Sequence, residues 1–282
     1  EYELVYISAY PSIATRLGDR LSVGASLALT YTTYEQRKAV PNIEPGYGDG
    51  SLYVETDGVS VGYGLSMLYE FTDRTRLGVN YRSEIEPSLD GKAEFSDLGP
   101  ITEKILEQAG LLGAAIDVTS RQARTVSTGV YHDFSNQHTL TLDGAWIDFS
   151  RFKLAEVYVE GEHIIENKQQ YDDALAISGS YSWPVSENLR LGVGGFIVND
   201  FVGQANRTMA FRLDDIWSLG FGVKWKWRED RELNVSLNYL TIGDAPVSTP
   251  EIPGIGPVTG RYTSRDTLYL RASVSFGPGP RG

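Results

Sequence analysis

The sequence contains no cysteine, 2 methionines and 3 histidines. It therefore has no disulfide framework and no thiolate for a metal site, and the absence of thiols suits an oxidising compartment. No stretch approaches the ~18 uninterrupted apolar residues that a spanning helix needs. Positive charge is scarce as well: 25 Lys and Arg stand against 37 Asp and Glu, for a formal net charge of -12. A phosphate-binding surface needs clustered cations, so no nucleic-acid partner is expected. His132, His138 and His163 have no metal-ligand spacing and join no nucleophile or carboxylate pattern. No metal, no cofactor, no catalytic residue and no enzymatic activity are predicted.

What is present is a repeated cadence. Short polar turns at 17–24 (LGDRLSVG), 72–78 (TDRTRLG), 135–144 (SNQHTLTLDG), 186–192 (SENLRLG) and 229–237 (EDRELNVSL) each feed a strand with apolar residues at alternate positions. Wider excursions, centred near residues 45, 105, 162, 205 and 252, separate them. Short turns on one side and long loops on the other are the signature of an outer-membrane β-barrel, in which only every second residue meets lipid.

The strand from Leu21 to Thr33 shows the period most clearly. Leu21, Val23, Ala25, Leu27, Leu29 and Tyr31 suit lipid, whereas Ser22, Gly24, Ser26, Ala28, Thr30 and Thr32 suit a lumen. Similar patterns predict strands at 4–15, 59–71, 76–87, 124–134, 139–149, 174–183, 189–198, 216–227, 233–241 and 267–276, making about eleven in all. Tyr69, Phe71, Phe134, Trp183, Trp225 and Trp227 fall beside the short turns, where an aromatic girdle belongs. The expected fold class is all-β: one transmembrane antiparallel β-barrel domain over 1–276, with long loops at 36–54 and 91–118. The final GPGPRG, 277–282, reads as a flexible tail. Bacterial barrels normally have an even strand count, so further sequence is expected ahead of Glu1.

Several phrases, in order along the chain, resemble the FadL-like outer-membrane transporters of long-chain fatty acids and other hydrophobic compounds. They are PSIATRLGDRLSVGASLAL at 11–29, GLSMLYEFTDRTRLGVNYRSEI at 64–85, WIDFSRF at 146–152, DDIWSLGFGVKWKW at 214–227, and YLTIGDAPV with GPVTGRY within 239–262. The resemblance implies a fourteen-stranded barrel with an N-terminal plug, of which this chain would supply the last eleven strands. It also implies passive diffusion of apolar molecules, a ligand pocket against the plug, and a lateral gate at a strand kink near the start of the barrel. Implied partners are a hydrophobic small molecule such as a fatty acid or hydrocarbon, and lipid or detergent. The implied setting is the outer membrane of a Gram-negative bacterium, with the protein as a monomer.

Two sets of residues could serve that function. The excursion at 91–118 contains ITEKILEQAGLLGAAI, which predicts an amphipathic helix with Ile101, Ile105, Leu106, Ala109, Leu112 and Ile116 on one side. Together with Leu111 this face would wall an apolar entry groove; alternatively it packs on its own loop or on the barrel rim. The resemblance pairs this loop with the one at 37–53 as the ligand-gathering pair. Strand parity turns Arg82, Arg190, Lys224 and Arg271 inward, where a cation could hold a ligand carboxylate. The rival reading is that these cations brace the lumen against Glu70, Glu84, Glu86 and Asp143, which have the same parity. For the whole protein, a structural or secretion scaffold and an outer-membrane hydrolase are the alternatives to a channel.

Overall fold

The computed structural model describes residues 2–134, 136–159, 162–165, 170–207, 213–248, 259–263 and 266–277. Residues 278–282 of the expected tail and the centre of the excursion near 252 lie outside the described residues.

β1 (Tyr2–Ala9) and β2 (Ser12–Leu17) pair with β3 (Leu21–Val40) in one register, from Tyr2 opposite Gln36 to Leu17 opposite Leu21. The predicted strand 4–15 is thus a single strand position that Pro11 interrupts, because proline has no N–H to donate. The chain continues through β4 (Gly50–Thr72), β5 (Thr75–Arg82), β6 (Ser88–Ser96), α1 (Pro100–Gln108), β7 (Ala115–Arg121), β8 (Thr125–Asp133) and β9 (Thr139–Ile147). Next come β10 (Lys153–Val159), β11 (Glu162–Ile165), β12 (Ala174–Ser186), β13 (Leu189–Val198), β14 (Ile216–Arg228) and β15 (Arg231–Ile242). A small hairpin, β16 (Ala245–Ser248) with β17 (Thr259–Tyr262), precedes β18 (Asp266–Phe276).

Antiparallel neighbours follow the order β3, β4, β5, β8, β9, β12, β13, β14, β15, β18. With the β1–β2 position this makes the eleven strand positions expected of the barrel wall. Among the described residues β18 pairs only with β15, and β1 and β2 only with β3, so the curved sheet is open along two edges. The predicted facing holds in the lower part of the wall. Leu27, Leu29, Val61 and Leu65 are exposed, whereas Ala28, Thr30 and Ser60 are buried. A water-soluble sheet would bury the first set; here the apolar face is the one left for lipid.

The loop boundaries need correction. The expected loop at 36–54 narrows to 41–49, because β3 and β4 stay paired up to Val40 opposite Gly50. The excursion at 91–118 likewise begins and ends as strand, in β6 and β7, with α1 between them. In this upper region the amphipathic pattern inverts. Tyr34, Val54, Leu89, Ala93, Ile116 and Val118 form a buried cluster, while Glu35, Glu55 and Asp57 are turned away from it. Above the lipid band water replaces hydrocarbon, so apolar residues return to the inside.

A bulge joins the two regions. From Gly64 to Asp57 is seven steps along β4, whereas their partners, Arg82 and Asp90, are eight apart. One extra residue reverses which side chains face inward. Ile85, Pro87 and Leu89 are therefore buried, and Glu86 is exposed, against the inward parity expected for Glu84 and Glu86. Ion pairs stitch this level together: Arg121 to Glu86 at 2.7 Å, Arg124 to Asp148 at 2.5 Å and Arg151 to Glu84 at 3.5 Å.

Candidate capture loops and lumen anchors

The two expected gathering loops form one unit at the long-loop end. Glu44 ends its loop as a cap on α1. Its Oε1 accepts from the N–H groups of Ile101 and Thr102, and its Oε2 accepts from Thr102 Oγ1 at 2.8 Å. Asn42 Oδ1 accepts from Gly99 N–H at 2.8 Å, and Asn42 Nδ2 donates to Asp97 O at 2.9 Å. Ile43 N–H donates to Thr102 Oγ1 at 3.1 Å. An acidic side chain at a helix N-terminus satisfies amides that have no partner within the helix. Burial alone pushes the Glu44 carboxyl up, but the Thr102 hydroxyl and the Thr102 and Ile101 amides outweigh it and hold the group below its usual range.

The helix is shorter than predicted. It ends at Gln108, because Gly110 and Gly113 adopt φ of +68° and +69°, a left-handed conformation that stops a helix. Ala109 is its C-cap, while Leu111 and Leu112 follow in a turn and are half-buried. Ile116 is corrected outright. It lies on β7 at 5 % exposure, within the cluster of Tyr34 and Leu89, and lines no groove. Ile101 and Ile105 remain candidates at 56 % and 49 % exposure, and Leu106 is half-buried beside them in sequence. Thr102, not an apolar residue, is the buried side of α1. The loop adds Ile43 and Tyr47, 63 % and 55 % exposed, which sequence reasoning missed. Isolated apolar residues between Pro41 and Gly48 carry no period, so only the Ile43 and Thr102 contact reveals them.

Three of the four predicted cations come together in the lumen. Arg190 lies opposite Lys224, Lys224 opposite Asn234, and Arg271 opposite Ser236. They share a concavity of about 420 Å3 with Ser182, Gly192 and Gly222. Arg190 Nη1 donates to Ser182 Oγ at 2.9 Å, and Lys224 pairs with Glu232 at 2.9 Å. Among the described residues Arg190 and Arg271 have no carboxylate partner. Arg82 stands apart, in another cavity of about 260 Å3.

The bracing pattern expected for these cations differs from the one found. Glu70 pairs with Arg16 at 2.7 Å, and Glu84 and Glu86 pair with Arg151 and Arg121. Asp143 lies with Asp73 and Asp133 in a second concavity, of about 620 Å3, on the β4, β5, β8 and β9 side of the wall. The short-turn end of the wall thus has one concavity with three cations and another with three carboxylates and Arg76, on different strands. Of the histidines, His132 Nδ1 lies 2.8 Å from Thr75 Oγ1 and His138 Nδ1 lies 2.5 Å from Tyr181 Oη. Neither ring meets a carboxylate among the described residues.

A family model for outer membrane protein transport proteins (OMPP1/FadL/TodX) matches residues 1–276. An outer membrane protein of Neisseria meningitidis serogroup B is 25% identical over 251 residues, covering 81% of this chain and 53% of its own length. The long-chain fatty acid transport protein of Escherichia coli O6:H1 is 21% identical over 195 residues, covering 67% of this chain and 44% of its own. The chain therefore spans about half the length of these curated relatives. The crystal structure of a Pseudomonas aeruginosa FadL homologue has the same fold, with a TM-score of 0.80 at 18% identity over 98% of this chain and 68% of that one. With the family model spanning all but the tail and the barrel wall shared with a FadL homologue, the chain belongs to the OMPP1/FadL/TodX family of outer membrane transport proteins and resides in the bacterial outer membrane.

Proposed function

We propose that this chain forms the wall, and the ligand-gathering loops, of a channel that admits hydrophobic molecules passively across the outer membrane. Residues 1–276 act as one barrel domain in this reading. Ile43, Tyr47, Ile101 and Ile105, with Leu106, Ala109, Leu111 and Leu112, offer the apolar surface of first contact. Such a ligand has little to hydrogen-bond, so exposed apolar side chains at the long-loop end suit its capture.

The observation that carries the reading furthest is the grouping of Arg190, Lys224 and Arg271 in one concavity, with only Lys224 ion-paired. Cations that merely brace a wall are expected to stand opposite carboxylates, as Lys224 does with Glu232 and the other two do not. An acidic head group would supply the missing partner through charge-assisted hydrogen bonds. The ligand class favoured is therefore a long-chain amphiphile with a carboxylate, ahead of a neutral hydrocarbon.

Uptake of a radiolabelled long-chain fatty acid by cells carrying the intact protein tests this. Cells with the protein should accumulate label faster than cells without it, and equal rates would refute the reading. Toluene uptake measured in parallel separates an acid channel from a general hydrocarbon channel.

A further inference from the structure

Three carboxylates form one row across the foot of the hairpin that carries α1. Asp57 on β4 stands opposite Asp90 on β6, and Asp90 stands opposite Asp117 on β7. Directly opposed side chains in an antiparallel sheet have Cβ atoms about 4.5–5.5 Å apart, and like charges at that spacing destabilise the pair. All three share the outer face: Asp57 and Asp90 are exposed and Asp117 is half-buried, while the alternate residues Thr56, Leu89, Ile116 and Val118 are buried.

Among the described residues the row holds no cation and no ion pair reaches it. At its ends the register places Thr33 of β3 beside Asp57 and Tyr158 of β10 beside Asp117. Tyr31 of β3 donates its hydroxyl to Asp57. One outward level above stand Glu35, Glu55 and Lys92, with Lys92 opposite Glu55. Arg37, a level higher again, lies 5.4 Å over the Tyr53 ring. One level below, Ser88 is opposite Thr119, and Arg121 beyond it pairs with Glu86 at 2.7 Å.

The upper two members of the row share a proton. Asp90 and Asp117 hydrogen-bond one another, which two carboxyl groups can do only when one of them is protonated. That bond first, then burial and the charge of Asp90, hold the Asp117 carboxyl above its ordinary value of 3.8. Position turns this chemistry into mechanics. Asp57 opposite Asp90 is the lowest pair between β4 and β6, so it is where the hairpin joins the wall. Asp90 opposite Asp117 joins the two arms of the hairpin.

We propose that Asp57, Asp90 and Asp117 form an acid-operated clasp at the foot of the α1 hairpin. When all three are charged they push β4, β6 and β7 apart; when a proton is taken up, Asp90 and Asp117 close on it and draw β6 to β7. Folding raises the Asp117 value, so this stabilisation is complete below 3.8 and is lost as pH rises through the higher folded value. The Glu44 cap at the other end of the hairpin responds in the opposite direction. Acid thus secures the foot of the hairpin while it loosens the tip. Only the consequence for ligand capture rests on the proposed uptake function.

The test is hydrogen exchange of the full chain in detergent micelles, with protection corrected for intrinsic rates and followed from pH 7 to about pH 4. Amides of 88–92 and 115–119 should gain roughly two- to fivefold protection on acidification, the scale of one cross-strand charge pair, while Ile101 and Thr102 lose protection. An amide mimics the protonated acid, so Asp90→Asn and Asp117→Asn should each show the acid level of protection already at pH 7 and lose the response. Asp117→Lys, which gives Asp90 a cation, should invert it. Glu94→Gln, on the same face of β6 two levels above, should leave it intact. A flat profile at 88–92 and 115–119 in the wild type, a response that survives in both Asn variants, or one equally lost in Glu94→Gln would overturn the proposal. Exchange requires no transport, so a clasp that responds in a protein that moves no fatty acid would refute the uptake reading while supporting the clasp.

Discussion

Ile85 occupies the space that a side chain at Gly62 would need: a Cβ there would lie 2.7 Å from Ile85 Cγ1. The neighbouring Gly58 meets the Ser88 carbonyl in the same way. The inward fold of 83–88 thus depends on two glycines of β4. Gly62→Val should destabilise the barrel by ~1–3 kcal/mol, the usual cost of overpacking. Heat-modifiable gel mobility checks this, and an unchanged unfolding temperature would show that Ile85 is free to move aside.

The cap of Glu44 on α1 should make the 41–49 loop and α1 sensitive to pH. Its folded carboxyl titrates below the ordinary value of 4.5. The charged form is thus favoured by folding, and its stabilisation is present above 4.5 and lost as pH falls through the lower folded value. Hydrogen exchange at Ile101 and Thr102 should quicken on acidification below 4.5, and Glu44→Gln should show fast exchange already at pH 7. Equal protection of wild type and variant at pH 7 would mean the cap contributes nothing.

Replacing Ile101 and Ile105 by Ser removes exposed apolar surface and touches no buried contact. Folding should be unaffected, since exposed substitutions usually stay within about 0.5 kcal/mol. Initial fatty-acid uptake should fall several-fold at low ligand concentration and recover at high concentration. Unchanged uptake at every concentration would move first contact away from this tip.

Arg190→Gln with Arg271→Gln removes the two lumen cations that lack carboxylates. Fatty-acid uptake should fall about tenfold, one or two charge-assisted bonds being worth ~1.5–3 kcal/mol. Toluene uptake should hold steady. A parallel fall in both would indicate damage to the wall and not loss of an anchor.

Arg207 is 3 % exposed and bridges Asp200 at 2.5 Å and Asp214 at 2.7 Å, with Leu213 O accepting from its Nε at 2.7 Å. Arg207→Met leaves two carboxylates facing each other without a cation, a local cost of about 3 kcal/mol. Limited proteolysis should then cut within 200–215 while the barrel core stays resistant. Resistance equal to wild type would show the clamp to be redundant.

Much of the wall was legible in the chain. β13 has the expected bounds, 189–198, because alternation along one strand depends only on which solvent each face meets. Where the solvent changes, legibility ends. β3 and β4 run on beyond 33 and above 59 with the pattern inverted, so residues that read as loop are strand facing water. The helix was legible in kind but not in length, since Gly110 and Gly113 stop a face whose apolar spacing continues to Ile116.

By itself the sequence determined a membrane barrel of about eleven strands with its long loops at one end, because turn chemistry and period-two hydrophobicity are local properties. The tertiary structure decided which side chains share a site. Arg82 and Arg190 have the same inward parity, yet only Arg190 joins Lys224 and Arg271, since cross-strand register is set by long-range pairing. A single extra residue between Arg82 and Asp90 reversed the facing of everything beyond it, and no local pattern announces where such a residue is absorbed.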